Sequence, residues 1–282
     1  MLSGRSVNLN ELSLKHVIPS GNIVLAVTSL GDEVFVAHYG SSEIVSVYDA
    51  GTLSLQRCIT VPGLGKEPSG LIACINNICI YVSAIDNSCI HRADLSGSNA
   101  VMKWSVAKGP RGLSVNRAHN VVVACRGANK LQEYTTHGSL VREICLQAGV
   151  TSPWHAVQLS SGDYVVSQFR SPGVVSVVGV DGQVRHRYGH SQTSGVGKMK
   201  NPRSLAVTKN DDILVADSGN NRILSMNSSL SSVQELTLPV DGGLQVGNRL
   251  PVGLFLDESR GRLYVGEGSG SHRVLVFDNV KL

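Results

Sequence analysis

Apolar and polar positions come in short, repeating blocks along this chain. A proline followed within a few residues by an apolar run recurs as Pro68-Ser-Gly-Leu71, Pro110-Arg-Gly-Leu113, Pro153-Trp-His-Ala-Val157, Pro202-Arg-Ser-Leu205 and Pro251-Val-Gly-Leu254. The copies stand about 42 to 49 residues apart, a spacing in the range of propeller blades. Gly21-Asn-Ile-Val-Leu25 repeats the block without the proline. Each block is followed by a second β-rich run and a small polar turn, as in Ile213-Leu-Val-Ala-Asp-Ser-Gly-Asn-Asn and Leu263-Tyr-Val-Gly-Glu-Gly-Ser-Gly. Six such units fill nearly the whole sequence.

Each unit reads as four short strands, here called a to d, and no stretch has helical periodicity. In the fifth unit the pattern predicts strands at Leu205–Val207, Ile213–Ala216, Arg222–Met226 and Val233–Leu238, with Lys209–Asp212 turning between the first two. Strands a and b are apolar almost throughout, as strands packed on both faces are. Strand d alternates, which suits an outer edge. One four-stranded sheet leaves its faces bare, and radial packing of six sheets covers them. The expected fold is therefore all-β: a six-bladed β-propeller of four-stranded antiparallel blades, with blades near 20–62, 63–106, 107–147, 148–190, 200–240 and 245–280. The last unit ends at its strand c, Leu275-Val-Phe-Asp-Asn-Val, while Leu12–Pro19 resembles the strand d at Leu53–Pro62. The N-terminal strand, 12–19, should close the last blade.

The repeats tile 282 residues without a linker, so one domain over 1–282 is expected. No apolar run approaches the roughly 20 residues of a membrane span, and the first residues lack the apolar core of a signal peptide. The expectation is a cytoplasmic chain without membrane contact. Cys58, Cys74, Cys79, Cys89, Cys125 and Cys145 form no CxxC pair and sit mostly in apolar runs, which favours reduced core cysteines. Cys74 and Cys79 flank Asn76-Asn77 and can approach across a hairpin.

In the fifth unit, Pro202-Arg-Ser-Leu-Ala-Val, Asp212-Ile-Leu-Val-Ala-Asp217 and Asn220-Asn-Arg-Ile223 resemble an NHL repeat. The likeness is clear in the last unit and weaker in the first two. It implies a six-bladed domain similar to the C-terminal domain of TRIM-NHL proteins, several of which bind RNA while others bind proteins as the substrate-recognition part of a ubiquitin ligase. The chain has no RING or B-box cysteine/histidine cluster, so any ligase activity would lie outside it.

A net charge of +4 conceals a polarised distribution. The d-to-a and b-to-c loops, which share the face called top here, carry Lys66, Lys108, Arg111, Arg126, Lys130, Arg170, Lys198, Lys200, Arg203 and Arg249 against few acids. The opposite turns carry Asp32, Asp94, Asp163, Asp181, Asp211 and Asp257. A concentrated positive face attracts polyanions. Tyr39, Trp154, His155 and Phe169 lie among the bases, and nucleobases stack on such groups while Lys and Arg hold phosphates. The expected ligand site is the top face near the central channel, with Arg111, Arg126, Lys130, Trp154, His155, Arg170, Arg203, Tyr39 and Phe169 contributing. RNA leads as ligand and an acidic protein or peptide is the alternative; no reading of DNA sequence is expected.

Arg111 and Arg203 occupy equivalent positions in two blades. Arg222 and Asp217 belong to the repeat signature and are expected to serve architecture; Trp154 either contacts ligand or plugs the channel. The long top loop Gly189–Asn201 is either functional or simply solvated. The residues entering strand a, taken as Asn22, Ser69, Arg111, Trp154, Arg203 and Val252, include no carboxylate to hold a metal, and His155 stands alone among them. There is no GxSxG elbow. No catalytic residue, metal or cofactor is expected, and the chain is expected to be a binding module without enzymatic activity.

Overall fold

The computed structural model of the protein describes residues 12–40, 44–98, 100–170, 173–189, 198–236, 250–269 and 272–280. Their strands form six four-stranded antiparallel sheets. In five of them the strands follow chain order, as in blade 3 with Pro110–Val115, Val121–Cys125, Lys130–Tyr134 and Leu140–Cys145. The sixth combines Pro251–Asp257, Arg262–Glu267 and Arg273–Asp278 with the N-terminal strand Ser13–Pro19. That strand pairs from Ser13 opposite Asp278 to Pro19 opposite Arg273, so the ring closes as expected.

The burial gradient follows the hydropathy pattern. Every residue of Cys79–Ala84, Val121–Cys125, Tyr164–Gln168 and Ile213–Asp217 is buried, because strand b lies between neighbouring sheets. The outer strand Leu55–Thr60 is almost wholly exposed. The cores lie between blades: Phe35, Val45 and Val47 of blade 1 pack on Leu71, Ile80 and Val82 of blade 2. At the closing seam Ile18, Val274 and Tyr264 meet Val24 and Val36.

In blade 5 strand a begins at Pro202, three residues before the apolar run, and Ser218–Asn220 forms a single 3-10 turn. Leu238, the expected end of its strand d, lies outside the described residues, as do Arg249 and residues 190–197 of the long top loop. Cys74 and Cys79 are in register across their hairpin, and all six cysteines are unlinked.

One irregularity repeats in all six blades. The pairing of strands a and b shifts between Val24 and Ala26, Pro68 and Gly70, Pro110 and Leu113, Pro153 and His155, Pro202 and Leu205, and Pro251 and Gly253. A bulge leaves its extra residue out of the ladder and re-aims the side chain. Here it sets Leu25, Ser69, Arg111, Trp154, Arg203 and Val252 as a ring around the top of the axis. Leu25, and not Asn22, therefore holds the first position, because the unit without a proline places its bulge after Val24.

Candidate functional site at the top of the axis

Two cavities share this ring. Below it, about 250 Å³ runs along the axis between the six strands a. Above it, a cup of about 200 Å³ is lined by the ring together with Tyr39, Glu67, Pro68 and Ile85.

The backbone of the ring is fixed by hydroxyls reaching from one blade to the next. Ser83 donates to the Arg111 carbonyl at 2.6 Å, and Ser167, at the same place in blade 4, donates to the Arg203 carbonyl. Ser69 does the same to Pro110 (3.0 Å) and Ser114 to Ala156 (2.8 Å). Gly70 admits this closeness: a Cβ there would lie 2.4 Å from the Arg111 carbonyl oxygen. Replacing Ser83 or Ser167 by alanine is expected to cost about 1 kcal/mol each, the net worth of one hydrogen bond. Urea melts of the single variants check this.

Trp154 and Phe169 stack with centroids 4.5 Å apart, and three guanidiniums collect on them. The Cζ atoms of Arg111, Arg203 and Arg126 lie 4.6, 5.0 and 5.7 Å from the Trp154 centroid. Arg203 and Arg126 also lie 5.1 and 5.2 Å from that of Phe169. Each cation is held by the ring quadrupole. Among the described residues none of the three pairs with a carboxylate, and the Nε atoms of Arg111 and Arg203 are buried without a hydrogen-bond partner. Burial, then the charges of Arg111 and Arg126, press Arg203 down to about 10. Burial and Arg126 lower Arg111 as well, against the opposing pull of Glu67. The bottom face differs: Arg260 pairs with Asp32 (2.5 Å) and Asp257 (3.3 Å), and Arg262 with Asp278 (2.7 Å).

The expected site residues thus divide. Arg111, Arg126, Arg203, Trp154 and Phe169 come together, and Tyr39 stands at the rim with 46% of its surface exposed. His155 does not join them. It is buried beneath the ring, where Nε2 bonds the Leu113 carbonyl and Nδ1 accepts the Leu205 N–H, both at 2.9 Å; its polar atoms are used by backbone, so it offers a ligand nothing. Lys130 is not in the cup lining, and its ammonium pairs with Glu143 at 2.7 Å. Arg170 reaches Thr151 Oγ1 at 3.4 Å rather than the aromatic pair. With guanidiniums seated on Trp154 and Phe169, those rings are platforms for the cations, whereas Tyr39 at the rim keeps an exposed face. Glu67, one of the few acids of the top loops, also lines the cup, brought there by the turn before Pro68.

Arg222 and Asp217 have the architectural place expected of them. Asp217, fully buried, accepts from Arg222 Nε (2.8 Å), Asn220 Nδ2 (2.7 Å) and the Lys200 N–H (2.7 Å).

The structure defines a six-bladed propeller containing an NHL repeat: the NHL repeat family model matches residues 199–224. No curated protein matches the sequence. Solved structures of similar fold include a streptogramin B lyase, with TM-score 0.65 and 13% identity over 95% of this chain and 97% of that one. Virginiamycin B lyase from Staphylococcus aureus gives 0.69 and 10% over 96% and 100%. Kuenenia stuttgartiensis hydrazine synthase gives 0.66 and 17% over 98% and 79%. At these identities the likeness is one of fold. It nonetheless overturns the expectation that the chain is not an enzyme, because the solved structures of similar fold include lyases.

Proposed function

We propose that the top face binds single-stranded or stem-loop RNA at the mouth of the axis, with Arg111, Arg126 and Arg203 holding phosphates and Tyr39 stacking a base, in the manner of RNA-binding TRIM-NHL propellers. The observation that carries this reading is the gathering of three guanidiniums on Trp154 and Phe169 with no carboxylate partner among the described residues. Like charges held this close repel and are partly desolvated, and a bound anion relieves both costs. Guanidinium forks match phosphate oxygens bidentately. The unlinked cysteines, three of them buried, support a cytoplasmic location for such a chain.

The test is electrophoretic or anisotropy binding to RNA pools. Arg111→Glu with Arg203→Glu is expected to weaken binding by about 100-fold or more, since each charge-assisted contact is worth roughly 1.5–3 kcal/mol. The slope of log affinity against log salt should fall by about 1.4, from two phosphate contacts at about 0.7 each. Unchanged binding and slope in the double variant, or retention of an acidic peptide with no retention of RNA, overturns the reading.

A further inference from the structure

We infer that the cup takes a terminal phosphate monoester of a nucleic-acid chain, such as a phosphorylated 5′ end, in preference to internal phosphodiesters; this rests on the RNA reading above. Arg111, Arg203 and Glu67 line the cup, and Arg126 shares the Trp154 ring with the two arginines. Three positive charges less one negative leave two. An internal phosphodiester brings one negative charge and spreads the next along the strand. A phosphate monoester concentrates about 1.5 to 2 charges on one group at neutral pH and offers three acceptor oxygens, one for each guanidinium.

The geometry favours a chain end attached to a base. The three Cζ atoms lie within 5.7 Å of a single ring centroid, and Arg203 feels the charges of both Arg111 and Arg126, so the positive charge is clustered at one place instead of tracking a backbone. Ser83 and Ser167 fix the backbone beneath Arg111 and Arg203, and the aromatic pair fixes the guanidiniums. The forks are thus preorganised, which lowers the entropy cost of capture. Tyr39, on the same cup and 46% exposed, offers a face to the first base, a contact that a phosphorylated peptide side chain would not use.

Two oligonucleotides of one sequence, labelled at the 3′ end and differing only in a 5′-phosphate or 5′-hydroxyl, are titrated against the intact chain by fluorescence anisotropy. The phosphorylated strand is expected to bind about tenfold tighter, the worth of one strong charge-assisted interaction. Arg111→Gln, and Arg203→Gln at the equivalent position, each remove one of the positive charges that answer the extra charge of the monoester and should largely erase the preference, with thermal melts confirming that each folds. Lys209→Glu on the opposite face should leave it intact. Equal affinity for the two strands overturns the inference while the RNA reading stands; no binding of either removes both. A phosphoserine peptide that displaces the phosphorylated strand as well as an unlabelled copy does would overturn the assignment to a nucleic-acid end.

Discussion

Asp217→Ala is expected to destabilise the protein by about 3 kcal/mol or more, the cost of leaving a buried charge without its partner. Asp217 is fully buried, while the Arg222 side chain it holds retains 13% of its exposure. Removing the carboxylate takes away the buried partner of Arg222 Nε, leaves the Lys200 N–H without its acceptor and costs Asn220 one of its two hydrogen bonds. Glu235 also reaches Arg222, at 3.1 Å, but its side chain is 49% exposed and solvent screens the contact. Glu235→Ala should therefore cost under about 1 kcal/mol. The damage reaches the site as well: Lys200 lies three residues before Arg203, so the strand that delivers one cup arginine loses its anchor. Urea denaturation of the two variants checks the ranking, and equal losses would mean that the buried carboxylate is not the anchor. Blade 6 repeats the device as Glu267 and Arg273, 2.7 Å apart and both buried.

The pairing of the Asp217 and Arg222 side chains was not legible in the sequence, but their architectural roles were, in the repeat signature. So were the six blades, the closing strand and the equivalence of Arg111 with Arg203, all of which follow from spacing along the chain. Five residues of the ring, Ser69, Arg111, Trp154, Arg203 and Val252, were legible as entering strand a, while the fates of the side chains around them were legible only as a face. Which side chains converge depends on the bulge at the head of each strand a, and nothing in Pro110-Arg-Gly or Pro153-Trp-His announces that one residue turns to the axis and the next is buried. His155 and Trp154 are neighbours with opposite fates for this reason. The pairing of Lys130 with Glu143 was not legible, because Glu143 comes from the adjacent strand d and lateral pairing depends on register. The stacking of Phe169 on Trp154 likewise joins strand b's exit to strand a's entry, a contact that no local pattern encodes.

Stability should fall as pH drops from 6.5 toward 4, before the carboxylates titrate. Burial presses both His155 and His38 from 6.5 to about 4. A neutral His155 ties blade 3 to blade 5 through Leu113 and Leu205, and a proton on Nδ1 would set one donor against another. Because the folded pKa lies below the unfolded one, the unfolded chain takes up the proton first. The contribution is complete above about 6.5 and disappears as pH falls to 4, at about 3 kcal/mol for a shift of this size. Glu143, held below its usual 4.5 by Lys130 and Gln132, and Asp94, held below 3.8 by Ser96, lose their contributions only at lower pH, so the two effects separate. Urea midpoints at pH 7.5 and 4.5 should differ strongly in the parent. In His155→Ala the difference should shrink to the share of His38, and stability at pH 7.5 should already be lower by about 3 kcal/mol, since the Leu113 carbonyl and Leu205 N–H lose their partners. Equal midpoints at the two pH values in the parent would mean that the imidazole is hydrated, and that the ring of bulges is not pinned from beneath.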